Sequence, residues 1–104
     1  MQGMDTPFVA LSEITVPLDG AEALELAFRD RLGAVDGWAG FLGLSVLRDR
    51  RRPGRYVMIS QWESKDCFSR YMRSDDHQLS HDRIPTGPDR PRPAGFSEYD
   101  LVAL

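Results

Sequence analysis

An α+β fold, with two helices on one face of a four-stranded antiparallel sheet, is predicted by three observations. Short runs rich in β-branched and aromatic residues alternate with two stretches of helical periodicity. The runs at residues 42–47 and 56–59 are apolar on both faces, so helices covering one side of the sheet leave the other to be covered by a second copy of the chain. At 104 residues the chain can bury one core. Residues 1–7 are therefore expected to form a flexible tail and residues 8–104 one domain.

Residues 8–16 read as a first strand closed by Pro17. Phe8, Ala10, Ser12, Ile14 and Val16 share a face, so Ser12 interrupts an inward apolar row. Its hydroxyl serves either a pocket or the neighbouring backbone. Asp19 and Glu22 have capping-box spacing, and Leu24, Ala27, Phe28, Arg31, Leu32 and Val35 recur with helical period, which predicts an amphipathic helix ending at Asp36-Gly37. Glu25 and Arg29 form a solvent-side i, i+4 pair. Arg31 falls inside the apolar stripe, where a guanidinium needs an acid at the stripe's edge, a path to water or an anionic ligand. Residues 40–47 form a second strand. Arg48, Arg50, Arg51, Arg52 and Arg55 surround Pro53-Gly54, the signature of a solvated hairpin turn. The third strand follows, with Tyr56 and Met58 on one face and Val57 and Ile59 on the other.

Ser64, after Trp62-Glu63, is a suitable N-cap for the second helix, and Phe68, Tyr71 and Met72 gather on one of its faces. Ser74 restarts a helical turn that brings His77 and His81, the two histidines of the chain, one turn apart. With Asp75, Asp76 or Asp82 as a third group this is also a metal-ligand spacing. No Glu follows His77 in the hydrolase pattern, however, and no metal is expected. Cys67 reads as core filler, and a lone cysteine excludes an internal disulfide. Residues 85–95 hold four prolines and two glycines, a stiff loop able to close one side of a site, and residues 96–103 read as the last strand. The resulting order, β-α-β-β-α-β, is that of a ferredoxin-like layer.

The 41% apolar and 28% charged fractions are those of an ordinary globular protein, and a net charge of −3 offers nucleic acid no basic field. No apolar run approaches a membrane span and no leader is expected before Phe8, which points to a cytoplasmic protein.

Several motifs carry a family resemblance: Val16-Pro17 closing the first strand, Gly40-Phe41-Leu42-Gly43 with Leu47-Arg48 in the second, and Trp62-Glu63-Ser64 with Phe68 six positions after the tryptophan. In their order and spacing the chain resembles the antibiotic-biosynthesis-monooxygenase domain family, which includes cofactor-independent oxygenases and haem-degrading enzymes. The resemblance implies a homodimer whose two sheets form an α+β barrel, with a pocket between sheet and helices in each subunit. It also implies that the haem-degrading branch has an Asn, a Trp and a His where this chain has Ser12, Tyr71 and Ser80, while Arg31 matches an arginine of that branch.

The expectation is thus a monooxygenase with no cofactor, oxidising a small aromatic or polyphenolic substrate with dioxygen. His81, His77 and Tyr71 are the catalytic candidates, and Ser12, Phe28, Arg31 and Phe68 the substrate-binding ones. A haem-binding or haem-degrading enzyme of the same fold is the alternative, and a non-catalytic ligand-binding dimer a third reading. The facing of the two helices places the pocket between the second helix and the sheet, lined by Ser12, Phe28, Arg31, Phe68, Tyr71 and His81. The competing outcome is a filled core in which Tyr71 and Arg31 bond to each other or to backbone.

Overall fold

A computed structural model describes residues 6–30, 35–81 and 84–104, with the backbone alone at 79–81. The elements are β1 (Phe8–Thr15), α1 (Leu18–Arg29), β2 (Phe41–Arg48), β3 (Arg55–Trp62), α2 (Lys65–Met72), α3 (Asp75–His81) and β4 (Arg92–Asp100). The strands form one antiparallel sheet in the order β2-β3-β1-β4, so the fold is ferredoxin-like α+β as expected. Residues 1–5 of the expected tail, and Arg31 and Leu32 of the expected helical stripe, lie outside the described residues.

Local chemistry explains where the elements begin and end, and corrects four expected boundaries. Helix α1 does not use Asp19 as its cap. It starts at Leu18 behind Pro17, with no side-chain cap, because Pro17 already holds φ at −57° and Val16 N–H is tied to Gly54 O at 2.8 Å. Asp19 lies instead in the first turn, where its charge suits the positive end of the helix. The helix closes at Arg29, with Asp30 N–H donating to Leu26 O at 2.9 Å, and Val35 sits in a following turn rather than on the helix. The loop expected through Gly95 gives way to strand at Arg92. Proline is tolerated there because β4 is an edge strand and Pro93 faces Ile14 beside a register shift at Glu13/Ile14. The strand ends at Asp100, short of residue 103.

The arginine-rich hairpin is held by one carboxylate: Asp49 Oδ1 accepts from Arg51 and Arg52 N–H at 2.8 and 3.2 Å. Gly54 follows with φ +83°, and a side chain there would meet Val16 O at 2.3 Å, so only glycine suits the site. Ser64 caps α2 as expected, accepting from Cys67 N–H at 3.3 Å. Ser74 Oγ accepts from His77 N–H at 3.2 Å where α3 begins.

The interior is divided. One cluster gathers Phe8, Ala10, Val35, Trp62, Phe68 and Tyr71, with Trp38, Phe41 and Cys67 packed against it. The other gathers Val16, Leu24 and Tyr56, with Ile14, Ala21, Phe28, Val46 and Ile84. Trp62 and Leu24, at 1% and 0% exposure, are the two centres. On the opposite face of the sheet, Leu42, Leu47 and Tyr99 stay about half exposed in the single chain, and strand alternation puts Val57 and Ile59 on that same face.

Candidate functional site

A cavity of about 480 Å3 lies between the two clusters, within the size range of small-molecule sites. Its floor is the helix-facing side of the sheet: Ala10, Ser12 and Ile14 from β1, Met58, Ser60 and Trp62 from β3, and Phe41 and Leu44 from β2. Leu24, Ala27 and Phe28 of α1 form one wall, and Phe68, Tyr71 and Met72 of α2 another. His77 of α3 closes one corner, and Pro91, Arg92 and Pro93 another. Of the expected site residues, Ser12, Phe28, Phe68, Tyr71 and His77 thus border one cavity, and part of the proline-rich stretch borders it too. Arg31 lies outside the described residues, as do the side chains of Ser80 and His81.

Aromatic contacts set the shape. Trp62 packs edge-on against Phe41 and Phe68 at ring separations of 5.2 and 5.7 Å, and tilted against Tyr71 at 5.5 Å. Tyr71 also meets Trp38 at 5.4 Å and His77 at 5.4 Å, both edge-on. Phe68 stacks on Phe96 of β4 at 6.2 Å, which carries the aromatic wall to the sheet edge. The α2 face follows from the Phe68/Tyr71 spacing. Trp38 and Ser60 were missed, the first because it sits in an irregular turn and the second because a serine in a strand gives no periodic signal. The alternation of Tyr56, Met58 and Trp62 could have placed Ser60 on the inner face.

A second, more open cavity of about 500 Å3 lies behind the first and shares Phe28 and Leu44 with it. Its rim is a charge cluster in which Glu25 accepts from Arg48 at 2.6 and 2.8 Å, from Arg29 at 3.2 Å and from the Tyr56 hydroxyl at 2.5 Å. The Glu25–Arg29 pair was expected; Arg48 and Tyr56 join it because β2 and β3 pass beneath α1. The Arg48 guanidinium, and then the Tyr56 hydroxyl, hold the Glu25 carboxyl at about 2. Burial, followed by the neighbouring carboxylate, raises Tyr56. Backbone N–H groups of the hairpin lower Asp49. Among the described residues, no group of three or more His, Cys, Asp and Glu side chains gathers in a metal-binding cluster. No helix of the described residues is long and apolar enough to cross a membrane.

The architecture defines a ferredoxin-like α+β protein with an aromatic-lined cavity between sheet and helices. Residues 7–83 match the family model for antibiotic biosynthesis monooxygenases, and the chain belongs to that family. Among characterised relatives, a heme oxygenase (mycobilin-producing) of Mycobacterium tuberculosis is 37% identical over 62 residues, 60% of this chain and 59% of the relative. The match thus spans well under two thirds of that protein's length. The solved structure of the heme-degrader MhuD from Mycobacterium tuberculosis, with two hemes bound in its active site, is 28% identical, with 92% of this chain and 96% of that one covered at a TM-score of 0.71. SnoaB, a cofactor-independent oxygenase from Streptomyces nogalater, superposes at a TM-score of 0.76 over 95% and 96% of the two chains. At 18% identity it speaks for the fold alone.

Proposed function

We propose that the chain is a cofactor-independent monooxygenase that binds a small aromatic, phenolic or enolic substrate in the cavity between sheet and helices. The supporting observation is the cavity itself: walls of Phe28, Phe41, Trp62 and Phe68, with uncharged polar tips at Ser12, Ser60 and Tyr71, His77 at one corner, and the charged residues Glu13 and Arg92 also on its lining. Apolar walls hold the ring, and convergent polar tips orient its oxygen. Removal of the phenolic or enolic proton gives an electron-rich anion that is itself the reductant for dioxygen. One oxygen atom enters the substrate and the other leaves as water. The protein's part is to take the proton, hold the anion and exclude bulk water. His77 and His81 are the candidate bases, Tyr71 a candidate donor to the substrate oxygen, and Arg31 a candidate counter-charge. A second copy of the chain, packed on the open sheet face through Leu42, Leu47, Val57 and Ile59, completes the assembly.

The haem reading stands second and draws on the 37% identity to a heme oxygenase. The cavity wall carries residue types that hold haem iron, His77 with Met58 and Met72, so its donor chemistry fits the group. His77 would be the iron ligand and Arg92, at the cavity edge, would face a propionate. Bound haem would supply oxygen activation, while Phe68, Tyr71 and Phe28 would enclose its ring. Ser12, Tyr71 and Ser80, at positions where the haem-degrading branch has Asn, Trp and His, rank this reading lower.

Oxygen uptake with a panel of hydroxylated naphthalenes and anthrones in chelator-treated buffer tests the first reading. Uptake that falls at least tenfold in Tyr71→Phe or His77→Ala is expected. Absence of uptake across the panel, together with a haemin-dependent Soret band that bleaches under reductant, would replace it with the second.

A further inference from the structure

We propose that Ser60 and Ser12 form a pair of hydroxyl donors on the cavity floor that recognises an aromatic ring bearing two adjacent oxygens. The inference rests on the cavity being the substrate site. Strand alternation in β3 puts Ser60 and Trp62 on the same, helix-facing side, two residues apart. The Trp62 indole N–H donates to Ser60 Oγ at 3.0 Å. An indole nitrogen only donates, so the direction of this bond is fixed and the serine oxygen is the acceptor. Ser60 therefore keeps its own proton to give, and no acceptor for it is found among the described residues. Trp62, 1% exposed and wedged between Phe41, Phe68 and Tyr71, cannot turn away, so the orientation is built in.

Ser12 stands on the neighbouring strand. In the β1/β3 register Ala10 faces Ser60 and Ser12 faces Met58, which makes the two serines diagonal neighbours on one surface, with backbones roughly 7–8 Å apart. Ser12 has no hydrogen-bond partner among the described residues, and both serines border the cavity. Two hydroxyls with protons to give, set in a surface that is otherwise Ala10, Ile14, Met58 and Trp62, form a polar edge in an apolar box. Two donors at this separation suit two oxygens on adjacent ring carbons better than a single oxygen, whose lone pairs would have to reach both. The matching ligand class is a vicinal dihydroxyarene or its ortho-quinone, with its ring against Phe68 and Tyr71.

Equilibrium dialysis under nitrogen, with naphthalene and 2,3-dihydroxynaphthalene as probes, measures the diol preference as a ratio of dissociation constants within each variant. Wild type should favour the diol about tenfold or more, and Ser60→Ala and Ser12→Ala should each narrow the ratio by about 2- to 10-fold while naphthalene binding stays within twofold. Ser60→Thr keeps both acceptor and donor and should keep the ratio. Ser60→Ala also orphans the Trp62 indole; Ser12→Ala breaks no internal bond, so the test stands even if the first variant folds poorly. Both probes binding with a ratio that neither alanine changes would overturn the serine pair and leave the cavity as the site. Failure of wild type to bind either probe would overturn the cavity reading, and the pair with it.

Discussion

Gly20→Ala tests how the segment before β4 is seated. Gly20 is buried within α1, and a Cβ there would lie 2.3 Å from Asp89 O, 3.1 Å from Asp89 Cβ and 3.0 Å from Val16 Cγ2. Two effects oppose each other. Alanine in a helix interior is favoured over glycine by roughly 0.5–1 kcal/mol, whereas forcing an extra methyl into a packed site costs about 1–3 kcal/mol. The nearest obstacle is a backbone carbonyl, which cannot rotate aside as a side chain does, so the steric cost should win by about 1 kcal/mol. For a domain of this size that lowers the melting temperature by roughly 4–8 °C. Gly37→Ala, with nothing within 4 Å of the new methyl, is the control and should not fall. Scanning calorimetry reads both, and hydrogen exchange should quicken at Arg90, whose N–H donates to Gly87 O at 3.2 Å in the same segment. A rise in melting temperature for Gly20→Ala would refute the reasoning, because helix propensity alone would then decide the site.

Three further outcomes follow from the geometry. Trp62→Ala removes the centre of the larger cluster and should cost about 3–5 kcal/mol, read as a lower denaturant midpoint; a loss under 1 kcal/mol would mean the cluster is not the core. Glu25, with its folded carboxyl held at about 2 against an ordinary 4.5, stabilises the fold above pH 4.5, and that contribution disappears as the pH falls towards 2. The stability difference between wild type and Glu25→Gln should therefore shrink over that window in pH-resolved melting curves, and a constant difference would count against the charge cluster. Leu47→Glu, at a position half exposed on the open sheet face, should shift sedimentation towards monomer with the inner cavity unchanged; an unaltered sedimentation coefficient would remove that face from the interface.

The legible parts of the fold were those in which local chemistry and tertiary demand agree. Ser64 caps α2 because its hydroxyl meets the first free N–H groups, and Phe68 and Tyr71 turn inward because their spacing leaves no other shared face. Ser12, a polar residue in an apolar row, marks the floor of a cavity. The readings that failed depended on remote neighbours. Pro93 joins a strand because that strand is at the edge, and edge position is a property of the whole sheet. Pro17 rather than Asp19 opens α1 because Gly54, far along the chain, already holds Val16. Trp38 reaches Tyr71 from a turn with no period, and the bond that Ser60 accepts depends on which way the Trp62 indole points.

The division of the interior into two clusters has a volumetric consequence. A space of about 480 Å3 between them is kept open by folding and collapses when the chain unfolds. The space is partly open to solvent, so the pressure response should depend on what occupies it: a ligand that binds only the folded chain raises its stability by mass action. A ligand filling the space would bridge the Leu24 and Trp62 clusters. The pressure midpoint of unfolding, followed by tryptophan fluorescence, would then report occupancy of the cavity without any knowledge of the chemistry performed there.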